Sequence, residues 1–393
     1  MKMIRLIPYA VSTMSIATES LMIATLLPSI AQYFHVSVSV AGQLLTYFAL
    51  TSAVCAPIMA VILGSFPRRH VAALALLGLS LLSALTFLVS SLEQLLVVRV
   101  LIALCTCTAQ PIILSSAARA NRGVAEIARG RSLSYATLGF FLALTVVVPI
   151  SVWAGANVNW RVSYAVCSVL AALSALLLAI FSDIFEVSQS VSLGERIRLL
   201  VRPGMINILF ISAVTPICYW SVYPFLVDIV KRKFAPSRGE LLAFLFFYGI
   251  SSVSGNLIGG HLADRFNFRV SVIALLSLLF VLCSALYIFL YASSLESSSW
   301  SGFLLLIFPW CIVTWALPVI QQARMVSFSG ELSTVGMALN QSTVQLAIAC
   351  GAAVGSYVYD TQNVGQILLV SAAFPALGVL WMVGRQRTWG ADI

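Results

Sequence analysis

Residues 270–292 read VSVIALLSLLFVLCSALYIFLYA, a stretch of 23 positions without a charged side chain. A helix needs about 20 mainly apolar residues to cross the hydrocarbon core of a bilayer, which is about 30 Å thick. This stretch is therefore long enough to cross a membrane as a helix.

Similar apolar stretches recur along the whole chain, separated by short polar connections. We predict spans at residues 7–28, 41–64, 71–90, 95–117, 133–154, 162–181, 205–230, 240–262, 270–292, 301–323, 334–357 and 364–384. The predicted fold is an all-α polytopic membrane protein, with twelve transmembrane helices in two six-helix bundles.

The composition excludes an ordinary soluble domain. Hydrophobic residues make up 61% of the chain and charged residues 9%, whereas soluble domains are about 45–50% apolar and about 25% charged. The net charge of +9 comes from basic residues scattered over short loops. This scatter indicates the positive-inside rule, and it argues against nucleic-acid binding. We expect the lipid bilayer as the environment, and neither a cofactor nor a metal site.

The distribution of lysine and arginine predicts the orientation in the membrane. If the N-terminus lies in the cytoplasm, most basic residues fall on the cytoplasmic side, so both termini are predicted to be cytoplasmic. The expected location is a bacterial cytoplasmic (inner) membrane. One basic cluster falls on the outer side and remains unexplained by the pattern: Lys231, Arg232, Lys233 and Arg238.

The longest polar break lies near the middle of the chain, at residues 183–203. We predict an N-terminal six-helix bundle over 1–182, a cytoplasmic linker over 183–203 and a C-terminal six-helix bundle over 204–393. The second half of the linker is either a short amphipathic helix on the membrane surface or a plain connection. A shift of 201 residues also superposes three pairs: Tyr47 on Tyr248, Arg68 on Arg269, and Val71 on Val272. Parallel repeats of this kind are typical of transporters whose two halves move about a central site.

One inter-helix loop resembles a known family. Residues 259–269, GGHLADRFNFR, resemble the G-x-L-A-D-R-x-x-x-R loop of the major facilitator superfamily. The resemblance implies that charged residues at helix ends hold one conformation until a gate moves. The equivalent loop of the first half, GSFPRRH at 64–70, has no aspartate. The gating residues predicted from these two loops are Gly260, Asp264, Arg265, Arg269 and Arg68.

Further stretches resemble the arabinose/sugar-efflux permease group, within the twelve-span drug/proton antiporter branch of that superfamily. They are TESLMIATLLPSIA (18–31), AGQLLTYFAL (41–50), NWRVSY (159–164) and YWSVYPFL (219–226). The resemblance implies proton-coupled efflux of a small organic solute, such as a sugar or drug, by alternating access. It also implies a gating role for Pro149, which lies in a partly eroded fifth-span antiporter motif.

Glu19 lies near the middle of the first span. A carboxylate at that depth costs several kcal/mol unless it is protonated, paired or hydrated. A group that is neutral in one state and charged in another is what a proton-coupled carrier needs, so we predict proton coupling by Glu19. The alternative is a structural hydrogen bond to a neighbouring helix. Arg99, inside the fourth span, is the predicted partner of the acid, or else an arginine that reaches toward the membrane interface.

Polar and aromatic side chains inside other spans predict the substrate-binding residues. Amides and hydroxyls are costly against lipid, so most are expected to face the protein interior. Tyr219 and Tyr223 are four residues apart and share one helix face. The full predicted set is Tyr219, Tyr223, Gln110, Thr106, Trp310, Thr314, Asn340 and Gln341. The alternative for these residues is to join helices by hydrogen bonds.

Other functions of the same chain stay open at this stage. The eroded fifth-span motif leaves an uptake symporter as the alternative to an exporter. A non-transporting membrane sensor is a further alternative. The chain contains neither HExxH nor GxSxG, so we do not expect an enzyme. The expected partners are a small-molecule substrate and protons, and the expected oligomeric state is a monomer.

Overall fold

A computed structural model describes residues 6–119, 129–147, 150, 158–181, 193–202, 204–292, 299–361 and 366–384. All regular secondary structure within these ranges is helical. In the first half the helices are α1 (Ile7–Tyr33), α2 (Gln43–Ile62), α3 (Arg68–Leu85), α4 (Leu92–Arg119), α5 (Arg129–Leu142) and α6 (Trp160–Phe181).

A short helix, α7 (Leu193–Leu200), precedes the second half. The remaining helices are α8 (Met205–Val222), α9 (Leu226–Phe234), α10 (Arg238–Arg265), α11 (Phe268–Tyr287), α12 (Trp300–Ser329), α13 (Ser333–Thr361) and α14 (Gln366–Gly384). Wider π-helical turns continue α5 over Ala143–Val147 and α11 over Ile288–Ala292.

The predicted all-α membrane fold is confirmed, and each predicted span overlaps a helix in its described part. The seventh, 205–230, was predicted as one span, but the structure divides it into α8, a turn at Tyr223–Phe225, and α9. Among the described residues, ten stretches from Gln43 onward are long and apolar enough to cross a membrane, and one of these, Trp300–Val358, covers α12 and most of α13. The first span corresponds to α1, which has 27 residues.

Some boundaries differ from the prediction. The tenth span was predicted to end at residue 323, but α12 continues to Ser329 and therefore includes Arg324. It ends before Gly330, whose φ of +53° lies in the left-handed region that glycine adopts most readily. Pro149 and the predicted end of span five lie outside the described residues.

The chain forms two compact units. One contains Met1–Val201 with Met325–Gln345, and the other contains Arg202–Arg324 with Leu346–Ile393. The division into bundles over 1–182 and 204–393, joined by a linker over 183–203, stays a prediction. Helix α7 lies within that predicted linker.

Close helix packing in the first unit depends on a glycine. Helix α1 packs against α5 and α6, α2 packs against α4, and α3 packs against α4 and α6. Gly139 on α5 faces the backbone of α1, where a Cβ atom would overlap the carbonyl oxygen of Ala10. The two helices therefore approach to a distance that only glycine permits at this position.

A glycine pair has the same role in the second unit. Gly255 and Gly259 are four residues apart on α10, and a Cβ atom on either would overlap the backbone of α12 at Ile312 or Ala316. Small residues at this spacing let helix backbones approach closely inside a membrane. Helix α10 starts at a capping box, in which Ser237 and Glu240 satisfy each other's backbone N–H groups.

Candidate functional site

The first unit contains a buried ion pair between two spanning helices. Glu19 is the thirteenth of the 27 residues of α1, and Arg99 is the eighth residue of α4. The Nη1 atom of Arg99 donates a hydrogen bond directly to Oε1 of Glu19. Neither side chain has any exposed area. Arg99 is therefore directed into the bundle and does not extend toward the membrane interface.

Apolar and weakly polar groups surround this pair. The ring of Phe48 on α2 lies 4.5 Å from the guanidinium carbon of Arg99. Tyr164 and Cys167 on α6 lie close enough to interact electrostatically with both charges. In such an environment the attraction between the charges is strong, but removing them from water is also costly.

The ion pair leaves part of its hydrogen-bonding capacity unused. Among the described residues, Oε2 of Glu19 and Nε and Nη2 of Arg99 have no hydrogen-bond partner. Unpaired polar atoms at buried positions cost about 1–3 kcal/mol each. The paired state is therefore a modest minimum, which a proton on Glu19 can disturb.

The other predicted residues of α4 lie further along the same helix. The hydroxyl of Thr106 is buried and donates to the carbonyl oxygen of Ala103 at 3.1 Å. Gln110 is half-buried. Both residues share a helical stripe with Arg99, at spacings of seven and eleven.

A cluster of aromatic rings occupies the second unit. The ring of Tyr219 on α8 stacks on Tyr223, with ring centroids 4.9 Å apart, and on Trp310 of α12, at 5.7 Å. The hydroxyl of Tyr248 on α10 donates to the hydroxyl of Tyr219 at 3.2 Å. Trp315 meets Tyr219 edge-on at 5.1 Å. We call these five residues the aromatic cluster.

The structure brings together three of the predicted substrate-binding residues, Tyr219, Tyr223 and Trp310, and adds two that the sequence analysis did not select. Tyr248 had a signal, since the 201-residue repeat aligns it with Tyr47. Thr314 lies on the same helix as Trp310, but its hydroxyl bonds to the Trp310 carbonyl oxygen at 2.7 Å and is thus used within α12.

Two predicted amides lie on α13, in the segment that belongs to the first unit. Asn340 is buried, and its Oδ1 atom has no hydrogen-bond partner within the described part of the chain. Gln341, the next residue, is half-buried. A buried amide oxygen without a partner has the capacity to bind a polar ligand group.

Two arginines hold the turn between α12 and α13, and we call this arrangement the arginine clamp. Nη2 of Arg119, at the end of α4, donates to the carbonyl oxygens of Gly330 (3.0 Å) and Glu331 (3.1 Å). It also bonds to the hydroxyl of Ser333. Arg68, at the start of α3, donates to the Glu331 carbonyl oxygen at 3.0 Å. The last carbonyls of a helix lack intrahelical partners and carry partial negative charge, so arginines are well suited to this position.

Arg68 was predicted as a gating residue from its loop, whereas Arg119 was not predicted. The main partners of Arg119 are more than 200 positions away in sequence, so no local pattern distinguishes it from the other basic residues. The carboxylate of Glu331 adds an ion pair with Arg119 at 3.3 Å, although the Glu331 side chain is 48% exposed.

The second-half loop lies at the ends of α10 and α11. Gly260 is buried, Asp264 is half-buried and Arg265 is exposed. Arg269 donates from Nη2 to the carbonyl oxygen of Met382 on α14 at 3.3 Å. The side chain of Asn267 caps α11 by accepting from the Arg269 backbone N–H at 2.9 Å.

Comparison with known proteins decides the family. The sequence model of the Major Facilitator Superfamily matches residues 9–352. The chain belongs to the Major Facilitator Superfamily. A relative from Bacillus subtilis (strain 168), the uncharacterized MFS-type transporter YbcL, is 24% identical over 377 residues, which cover 94% of this chain and 92% of that protein.

Two solved structures share the superfamily fold. The proton:xylose symporter XylE, bound to 6-bromo-6-deoxy-D-glucose, matches with a TM-score of 0.73 and 13% identity, over 97% of this chain and 95% of that one. A bacterial homologue of the iron transporter ferroportin, in an outward-facing state, matches with a TM-score of 0.77 and 14% identity, over 98% and 99%. Membership makes the chain a multi-pass membrane protein of a transporter family whose members are generally not enzymes.

Proposed function

We propose that this major facilitator protein exports a small organic solute in exchange for protons, by alternating access. The observation that carries the proposal is the fully buried pair of Glu19 and Arg99 in two spanning helices. When Glu19 takes up a proton, Arg99 loses its counter-charge, and the energy of the site changes by several kcal/mol. A change of that size is sufficient to shift a conformational equilibrium.

We further propose that the aromatic cluster binds the solute. Tyrosine and tryptophan offer a flat apolar face together with a hydrogen-bonding group, which suits sugars and drug-like molecules. The hydroxyl pair of Tyr219 and Tyr248 and the stacked ring of Trp310 provide both features. Within the first unit, Thr106, Gln110, Asn340 and Gln341 are proposed as residues that form hydrogen bonds with the solute.

We assign a gating role to the arginine clamp. Its bonds join α3 and α4 to the turn at 330–333, so separating these elements requires the bonds to break. Arg269, Arg265 and Asp264 are the proposed equivalents in the second half, next to the glycines of α10. Lysine and arginine are concentrated in the loops on one side, and such loops are cytoplasmic. We therefore place the clamp and both termini on the cytoplasmic side of a bacterial inner membrane.

Removing the clamp is expected to open this end of the first unit. We predict that Arg119→Ala raises the rate of maleimide labelling at Thr334→Cys about tenfold, in a background in which the exposed Cys350 is replaced by serine. Thr334 is buried, and its hydroxyl lies 3.0 Å from that of Ser115. Charge-assisted hydrogen bonds contribute about 1.5–3 kcal/mol each when buried, and less when partly exposed.

Arg69→Ala is the matched control, because it removes the same charge at the position next to Arg68. It should leave the labelling rate unchanged. Glu331→Gln should have only a small effect, since an exposed ion pair contributes about 0–1 kcal/mol. An unchanged labelling rate in Arg119→Ala would remove the gating role of the clamp.

The direction of solute transport and its coupling to protons are tested together in proteoliposomes that contain a pH-sensitive dye. A thermal-shift screen over sugars, nucleosides, amphenicol-like drugs and amino-acid derivatives first selects a solute that stabilises the protein. When that solute is added outside, an antiporter exchanges it for internal protons and makes the lumen alkaline. Acidification would instead identify a symporter, and solute uptake without any pH change would refute proton coupling.

A further inference from the structure

Helix α9 carries a basic surface at the end of the spanning helix α8. Its apolar residues Leu226, Ile229 and Val230 are buried, whereas its last turn contains Lys231, Arg232 and Lys233, all exposed. The helix is thus amphipathic, with one side packed on the second unit. Basic residues in a last turn interact favourably with the helix dipole, but that interaction does not require three exposed cations.

Aromatic contacts place this surface at the level of the lipid headgroups. Phe234 packs against Trp300, the first residue of α12, with ring centroids 5.3 Å apart. The Nζ atom of Lys233 lies 5.6 Å from the centroid of the Tyr291 ring, beyond the end of α11. Ends of spanning helices meet here, and tryptophan and tyrosine at such ends mark the interface between membrane and water.

The backbone fixes the basic turn in this position. Helix α9 ends at Ala235, which has a φ of +43° and donates its N–H to the Lys231 carbonyl oxygen at 3.0 Å. Helix α10 starts three residues later, at Arg238, with Ser237 as its N-cap. Because spanning helices hold both ends of the segment, its lysines cannot move far from the interface.

Charge determines what this surface can bind. Within residues 226–240, four basic residues stand against only Asp228 and Glu240. The carboxylate of Glu240 is engaged in the cap, where it accepts from the Ser237 backbone N–H at 2.8 Å. The surface therefore has an excess of positive charge at the depth where phospholipid phosphates lie.

We infer that helix α9 binds the phosphate groups of anionic phospholipids through Lys231, Arg232 and Lys233. The site requires a headgroup with net negative charge, such as phosphatidylglycerol or cardiolipin, and it discriminates against zwitterionic phosphatidylcholine. It also explains why a basic cluster stands opposite to the side favoured by the other lysines and arginines of the chain.

Native mass spectrometry of the purified full-length protein tests this inference, with phosphatidylglycerol and phosphatidylcholine as the two probes. The wild-type protein should retain phosphatidylglycerol preferentially. The double variant Lys231→Gln/Lys233→Gln should lose that preference by about fivefold for each lysine removed, because a basic residue near an anionic surface contributes about 1 kcal/mol. The matched control is Arg69→Gln/Arg131→Gln, which removes two positive charges from the first unit and should behave like the wild type.

Three results would overturn the inference. One is equal retention of the two lipids by the wild-type protein, and another is the same lipid preference in both double variants. The third is displacement of the lipid by soluble glycerol phosphate at equal concentration, which would indicate a site for free anions. Equal melting temperatures of the variants establish that each is folded, and the experiment does not depend on transport or proton coupling.

Discussion

Replacing Glu19 with glutamine is expected to reduce proton-driven transport at least a hundredfold while leaving the protein folded. Glutamine keeps the size of the side chain and its ability to accept a hydrogen bond from Arg99, but it cannot gain or lose a proton. Under the proposed mechanism, each transport cycle requires that change of charge. Moving one charge through 100 mV supplies about 2.3 kcal/mol, and the variant has no group to exploit it. The measurement is solute accumulation in inverted membrane vesicles that are energised by a proton gradient.

The controls separate coupling from folding and from solute binding. Thermal shift by the solute should persist in Glu19→Gln, as should exchange of labelled for unlabelled solute without a gradient. Arg99→Leu should be less stable than the wild type by about 3–5 kcal/mol, because it leaves a buried carboxylate without its partner. The double variant Glu19→Leu/Arg99→Leu should recover most of that stability. Full gradient-driven transport by Glu19→Gln would show that another residue couples protons.

Replacing Gly139 with alanine is expected to prevent normal assembly of the first unit. The added Cβ atom would overlap the carbonyl oxygen of Ala10 and lie 2.7 Å from the backbone nitrogen of Met14. Backbone atoms cannot turn aside as a flexible side chain does, so α1 and α5 must separate. Overpacking costs about 1–3 kcal/mol even where side chains can adjust. We expect a melting temperature at least 10 °C lower and a reduced yield of monodisperse protein.

Gly239→Ala is the matched control for this effect. Gly239 also lies in a helix, but a Cβ atom there would meet no other atom within 4 Å, so the melting temperature should stay within about 2 °C of the wild-type value. A Gly139→Ala protein with wild-type stability would show that α1 and α5 are less tightly packed than the structure indicates. Because a Cβ atom at position 139 would meet Ala10, Thr13 and Met14, the substitution should reduce yield and stability.

The sequence was sufficient to predict the fold because the bilayer imposes a length and an apolar composition on every span. It was less informative about helix ends. Residues 324–329 include Arg324, Ser327 and Ser329 and lie beyond the predicted span, yet no glycine or proline stands between Arg324 and Gly330, so α12 continues to Ser329. A polar sequence ends a span, but it does not end a helix.

The candidate sites were predictable only as single residues. Glu19 and Arg99 stood out separately as ionisable groups inside spans, but they are 80 positions apart, and one sequence cannot report their contact. Arg119 was missed for a related reason, since its role depends on main-chain carbonyls that have no sequence signature. Gly255 and Gly259 have the spacing of a close-packing pair, so the sequence does contain a signal for the contact between α10 and α12.

The arginine clamp binds mainly main-chain carbonyl oxygens. With these acceptors, the strength of the clamp does not depend on the protonation of Glu19. Carbonyl oxygens stay unprotonated throughout the physiological pH range, and every residue type supplies them. Acidification that neutralises Glu19 therefore leaves these hydrogen bonds of the clamp unchanged, and side-chain substitutions at 331 and 332 preserve the carbonyl acceptors. The pH response at α1 can accordingly change without a change in how firmly Arg68 and Arg119 hold this end of the first unit.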